Sequence, residues 1–202
     1  MLILTSNGIT SEKLFDKIKE LLKENMKSVA LIPTASNVRD DKEFNVQRHT
    51  EIFGRIGLTV DIFDIAVQNP ELLDKYDVIF LMGGNPFYLL NIMRKTNCKE
   101  LFSNYLKNKI IIGASAGSLV LGPTLGLVYE LHPKLNDVAG LTDFKGLGLT
   151  NLIVYSHHPN YLETVDGFYE RMHDFENRTG LQVICINDGQ AVFVFDEEIV
   201  VI

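Results

Sequence analysis

Apolar residues recur along the chain in two alternating modes. Short, nearly unbroken runs at 1–4 (MLIL), 28–33 (SVALIP), 58–64 (LTVDIFD), 77–84 (DVIFLMGG) and 109–115 (KIIIGAS) are separated by longer stretches with apolar positions every three or four residues. The runs have strand length and the periodic stretches have helix length. In 10–25, Leu14, Ile18, Leu21 and Leu22 share one helical face, and the next helix is expected to turn Phe44, Ile52, Phe53 and Ile56 inward. A short helical turn starts at Pro70, and two helical pieces cover 85–96 and 99–108. Beyond Gly148 the pattern predicts a strand at 151–156, a helix over 161–179 with Val165, Phe168, Met172 and Phe175 inward, and a strand at 181–186. A tight Asp188-Gly189 turn then precedes a hairpin of 191–195 with 199–202.

Strands without interspersed polar residues are buried on both faces, as parallel strands between two helical layers must be. The expected fold class is α/β: a three-layer α/β/α sandwich with a mostly parallel sheet, formed by one domain over 1–202.

Composition narrows the function classes. Of 202 residues, 46% are hydrophobic and 22% charged, the balance of a soluble globular chain. The net charge of -7 comes without a basic stripe, which argues against nucleic acid as a partner. No window approaches the length of a membrane span, and the apolar start is four residues long with no basic flank, so it reads as a first strand and not a signal peptide. The cytoplasm is the expected location. Cys98 and Cys185 lack CxxC spacing, which points to two buried, inert thiols and not to a zinc or redox site.

The stretch from 110, IIIGASAGSLVLGP, holds the chemistry. A strand that ends in G-x-S-x-G and turns at once into a helix forces its serine into a sharply bent backbone, with the hydroxyl exposed at the strand's carboxyl end. Ser115 would be the nucleophile and the Ala116 N–H an oxyanion donor. The plainer reading is that the small residues let a helix pack close to the sheet. Phosphate binding is disfavoured, since no Lys-Ser/Thr follows the glycines and G-x-G-x-x-G is absent. A serine needs a base. His49 and His173 fall in expected helices, where a solvated or capping role fits better. His157 and His158 follow a strand's carboxyl end, the edge where α/β sites collect, and one of this pair is the expected base. A metal site from His157, His158, Glu163 and His173 is disfavoured by spacing. At FLMGGNPFYLL, Gly83 and Gly84 could bring a second oxyanion N–H, while Asn85 caps a helix begun by Pro86.

MGGNPFYLL, then GASAGSLVLGP, then GLGLTNLIVYSHHPNY, in that order, resemble the peptidase E (aspartyl dipeptidase) and cyanophycinase family of serine peptidases. The resemblance runs from the first strands to INDGQAVFV and implies a class I glutamine amidotransferase-like (flavodoxin-like) fold. It implies Ser115 as nucleophile and, counting from Gly148-Leu149, His157 as base. It also implies Glu130, fifteen residues after the serine, as the third member, although peptidase E carries Asp there. Asp188 is the rival acid and Asp137 a distant third. Gly84 and Ala116 become the oxyanion donors. The segment after the histidine is shorter than in peptidase E and its only basic residue is Arg171, which leaves a preference for N-terminal Asp open. The expected activity is hydrolysis of small peptides through an acyl-enzyme, with no metal or organic cofactor. A homodimer is an admissible assembly. An α/β-hydrolase-type esterase and a non-catalytic binding module are the rival readings, and amidotransfer is disfavoured because the elbow carries Ser in place of Cys.

Overall fold

A computed structural model describes residues 1–36, 39–157, 165–195 and 198–202. Its main sheet contains β1 (Leu2–Thr5), β2 (Ser28–Ile32), β3 (Thr59–Ile62), β4 (Val78–Leu81), β5 (Ile110–Ala114), β8 (Ala191–Phe195) and β9 (Glu198–Val201), in the order β3-β2-β4-β5-β1-β8-β9. The first five pair in parallel, and β8 runs antiparallel to both β1 and β9. β6 (Leu152–Tyr155) and β7 (Gln182–Cys185) form a separate two-stranded parallel ladder, a division that periodicity does not reveal.

Residues of β1, β2, β4 and β5 alternate between two buried faces, whereas the edge strand β3 is largely exposed, contrary to its apolar run. Leu2, Leu4, Ile79, Leu81 and Ile111 join one core, with the helices α3 (Pro86–Lys95), α4 (Cys98–Tyr105), α5 (Ala116–Leu121), α6 (Gly126–Leu131) and α7 (Phe168–Thr179). Ile3, Val29, Leu31, Phe80 and Ile112 join the other, with α1 (Glu12–Leu21) and α2 (Arg39–Ile56). The expected α/β sandwich with a mostly parallel sheet is therefore present.

Caps set the helix starts. The Ser11 hydroxyl accepts the Leu14 N–H at 3.3 Å to open α1, and Asn85 accepts the Tyr88 N–H at 3.0 Å to open α3 with Pro86 in the first turn. The long helix predicted over 161–179 is described from Val165 onward, and its helical part is α7; residues 161–164 lie outside the described set.

One inward assignment is overturned. Phe44 is 66% exposed. It precedes the buried Phe53 by nine residues, about two and a half helical turns, which puts it on the opposite side of α2. The inward stripe is Val46, His49, Ile52, Phe53 and Ile56, with a histidine in a core position.

Candidate active site

Strand register assembles the site at one edge. Thr5 is level with Ala114 on one side and with Ala191 on the other. Ser6, Ser115 and the turn before Ala191 therefore emerge together at the carboxyl ends of β1 and β5. Leu81 is level with Gly113, which brings the Gly83-Gly84 pair alongside the serine.

Ser115 has φ 48° and ψ −110°, a backbone region that a non-glycine residue occupies only under constraint. The Ser115 N–H donates to the Thr5 carbonyl at 3.0 Å, which also accepts the buried Ser118 hydroxyl at 2.9 Å. The small neighbours have a packing reason as well. A Cβ at Gly113 would lie 2.6 Å from the Ser118 nitrogen, and one at Gly117 would lie 2.3 Å from the Leu81 carbonyl oxygen. Close helix packing and presentation of the hydroxyl are thus two results of one construction.

His157 lies two residues past β6 with φ 57°. Its Nε2 is 3.2 Å from Ser115 Oγ, and its Nδ1 is 2.7 Å from Asp188 Oδ1. A carboxylate only accepts, so Nδ1 carries the proton and the Nε2 lone pair faces the serine hydroxyl. The Asp188-Gly189 turn is docked on the end of β1. Ser6 Oγ donates to Asp188 Oδ1 at 2.6 Å and accepts the His157 N–H at 3.0 Å, and the Gly189 N–H donates to Asn7 Oδ1 at 3.2 Å.

The carboxylate beside His157 is that of Asp188, and the placement expected for Glu130 is corrected. Fifteen residues beyond the serine the chain has passed through α5 and entered α6, where Glu130 Oε2 accepts from Arg178 of α7 at 2.8 Å. The Glu130 carbonyl accepts from Arg171, which ties down the arginine of the 157–172 stretch. Asp137 is exposed at the end of the 3₁₀ turn Pro133–Asn136. His158 and Glu163 lie outside the described residues.

His49 is not the solvated or capping residue expected. It is 2% exposed, its ring centroid lies 4.6 Å from that of Phe80, and Nδ1 bonds the Asn45 carbonyl at 2.7 Å. Burial pushes its pKa down to about 4. His173, on the exposed side of α7, meets Glu176 at 3.0 Å as a helix-surface residue would. His132 Nε2 bonds the Tyr155 hydroxyl at 3.0 Å, and burial, then the Arg171 charge, lowers its pKa. Burial raises the thiol pKa of Cys98 and takes that of Cys185 to about 11, which keeps both thiols protonated.

Two cavities meet at Ser115 and Gly84. The larger, of about 200 Å³, is lined by Asn7, Asn45, Arg48, His49 and His157 among others. The smaller, of about 60 Å³, is mainly apolar, with Pro86, Leu119, Val128 and Tyr155. Gly84 has φ 143°, and a Cβ there would lie 2.2 Å from the Ala35 carbonyl oxygen, so only glycine fits. Ala116 opens α5, where first-turn N–H groups have no acceptor within the helix. The groups that sequence reasoning missed are Thr5, Ser6, Asn7 and Arg48. The available signal was TSNG, small polar residues directly after an apolar strand at the site edge.

The model of peptidase family S51 matches residues 2–202. An uncharacterized peptidase from Pasteurella multocida is 30% identical over 176 residues, spanning 85% of this chain and 83% of the relative. Peptidase E from Nostoc sp. is 27% identical over 169 residues, spanning 82% of this chain and 66% of that protein. The crystal structure of a candidate peptidase E from Listeria monocytogenes EGD-e superposes with a TM-score of 0.77 at 24% identity, covering 99% of this chain and 96% of the other, a likeness of fold. Among the described residues no helix is long and apolar enough to cross a membrane. The chain belongs to peptidase family S51 and is a serine-type peptidase.

Proposed function

We propose that the chain is an exopeptidase that cleaves short peptides, dipeptides foremost, through an acyl-enzyme formed on Ser115. The observation that carries this reading is the continuous relay Ser115 Oγ to His157 Nε2 at 3.2 Å and His157 Nδ1 to Asp188 at 2.7 Å. His157 takes the hydroxyl proton as Ser115 Oγ bonds the scissile carbonyl carbon, and the Gly84 and Ala116 N–H groups receive the oxyanion. His157 then gives that proton to the leaving amine as the C–N bond breaks. Water repeats the sequence on the ester: His157 takes its proton, the acyl C–O bond breaks and Ser115 is restored. Asp188 stays ionised and holds the imidazole in the Nδ1–H tautomer.

Two small cavities meeting at the nucleophile suit one residue on each side of the scissile bond. No described carboxylate lines either one, and Arg48, whose guanidinium donates to the Asn7 carbonyl at 3.0 Å, is among the residues lining the larger, which supports an acidic side chain such as N-terminal Asp in that cavity.

The test is fluorophosphonate labelling followed by a panel of X-Leu dipeptides with every X. Label on Ser115 and fastest cleavage of Asp-Leu are expected, with Ser115→Ala slower by roughly 10³ to 10⁶. Wild-type turnover in that variant rejects the nucleophile. Neither label nor cleavage favours a binding module, and equal rates for all X remove the acidic preference.

A further inference from the structure

The geometry points to Ser6 as a positioning residue that holds both His157 and Asp188 in register with Ser115. The inference rests on the proposed roles of those three residues and adds a fourth that acts through them.

Ser6 is the first residue past β1 and is 0% exposed. A serine hydroxyl has one hydrogen to give and two lone pairs to receive. The hydrogen goes to Asp188 Oδ1 at 2.6 Å, and a lone pair receives the backbone N–H of His157 at 3.0 Å. One atom thus grips the carboxylate and the main chain of the histidine that faces it. Asp188 Oδ1 accepts from both Ser6 and His157 Nδ1, which fixes the rotation of a carboxylate whose side chain is 51% exposed and so little restrained by packing. His157 adopts a left-handed backbone that non-glycine residues avoid, and the bond from its N–H to Ser6 offsets that cost. The adjacent Thr5 carbonyl holds the Ser115 N–H. The dipeptide Thr5-Ser6 therefore sets the spacing between nucleophile and base from a single rigid strand end, the kind of support a catalytic constellation needs.

A hydroxyl that merely satisfied a buried turn would affect folding and leave the relay intact. The experiment therefore compares Ser6→Ala, the near-isosteric Ser6→Cys and Ser6→Thr with wild type, each checked for native thermal unfolding. Loss of the hydroxyl is expected to lower kcat about 10²-fold with KM within about twofold, the scale of a small misplacement, and Thr is expected to recover most of the loss. In wild type a downfield proton resonance from His157 Nδ1–H, assigned by its loss in Asp188→Asn, is expected; it shifts or broadens in the Ala and Cys variants. On the Asp188→Asn background, Ser6→Ala should cost clearly less than in wild type, because the route through the carboxylate is already cut and only the hold on the His157 N–H remains. Folded variants with wild-type kcat, an unchanged resonance, or a full additive loss on Asp188→Asn overturn the proposal. If neither the Ala nor the Cys variant folds, Ser6 is a folding residue and the proposal fails too. The resonance reports the Asp188–His157 bond whether or not any peptide is cleaved, so failure of Ser6 and failure of the peptidase reading give different results.

Discussion

At the residue scale, two carboxylates that sequence spacing could not separate have different surroundings. Asp188 faces an imidazole that in turn faces a serine; Glu130 joins an exposed guanidinium on the neighbouring helix. Asp188→Asn should therefore lower kcat by roughly 10⁴, the scale of losing the correct tautomer. Glu130→Gln should leave kcat within about twofold and cost at most about 1 kcal/mol in chemical unfolding, as befits a solvated ion pair. The reverse ranking of the two variants in steady-state assays would restore Glu130. Ser115 was legible because a strained elbow leaves a local mark, small residues around one hydroxyl; a histidine pair after an apolar run narrowed the base to His157 or His158, and the family resemblance chose His157. The acid was not legible. Asp188 reaches His157 only because β8 is antiparallel to β1, which returns the 187–190 turn to the same edge, and strand direction is not written in a six-residue window. Ser6 was hidden for the same reason, its partners being more than a hundred and fifty residues away.

At the element scale, the site depends on how closely α5 approaches the sheet. Gly117 allows that approach, since a Cβ would lie 2.3 Å from the Leu81 carbonyl oxygen, a backbone atom with no side-chain freedom to yield. Gly117→Ala must displace α5, whose first residue follows Ser115, and the expected loss is about 1 to 3 kcal/mol of stability, as for overpacking, together with reduced fluorophosphonate labelling. Gly54 is the control: it lies exposed in α2 with open space where a methyl group would go, and Gly54→Ala should gain about 0.5 to 1 kcal/mol with labelling unchanged. Equal effects at the two glycines would mean that the helix tolerates a wider gap. The layers were readable because buried parallel strands are apolar on both faces. The face of α2 was read through Ile52, Phe53 and Ile56 but not at its start, because the inward stripe includes a histidine and the solvent side carries Phe44, which together blur the local contrast in polarity.

On the scale of the whole molecule, that histidine ties stability to pH. His49 is held neutral in the fold with its pKa near 4, chiefly by burial and further by the Arg48 charge, against an ordinary value of 6.5. The unfolded chain binds a proton at this position between those two values and the folded chain does not. Stability is therefore unaffected by His49 above pH 6.5, declines as pH falls from 6.5 to 4, and levels off below, with a total loss of about 3 kcal/mol. Urea unfolding at pH 7, 6 and 5 should show wild type losing about 2 kcal/mol more than His49→Leu between the first and last of these. The absolute stability of the variant does not enter, only the slope, so a cavity left by the substitution cannot imitate the effect. Parallel pH dependences for the two proteins would mean that His49 titrates normally and that α2 opens to admit water.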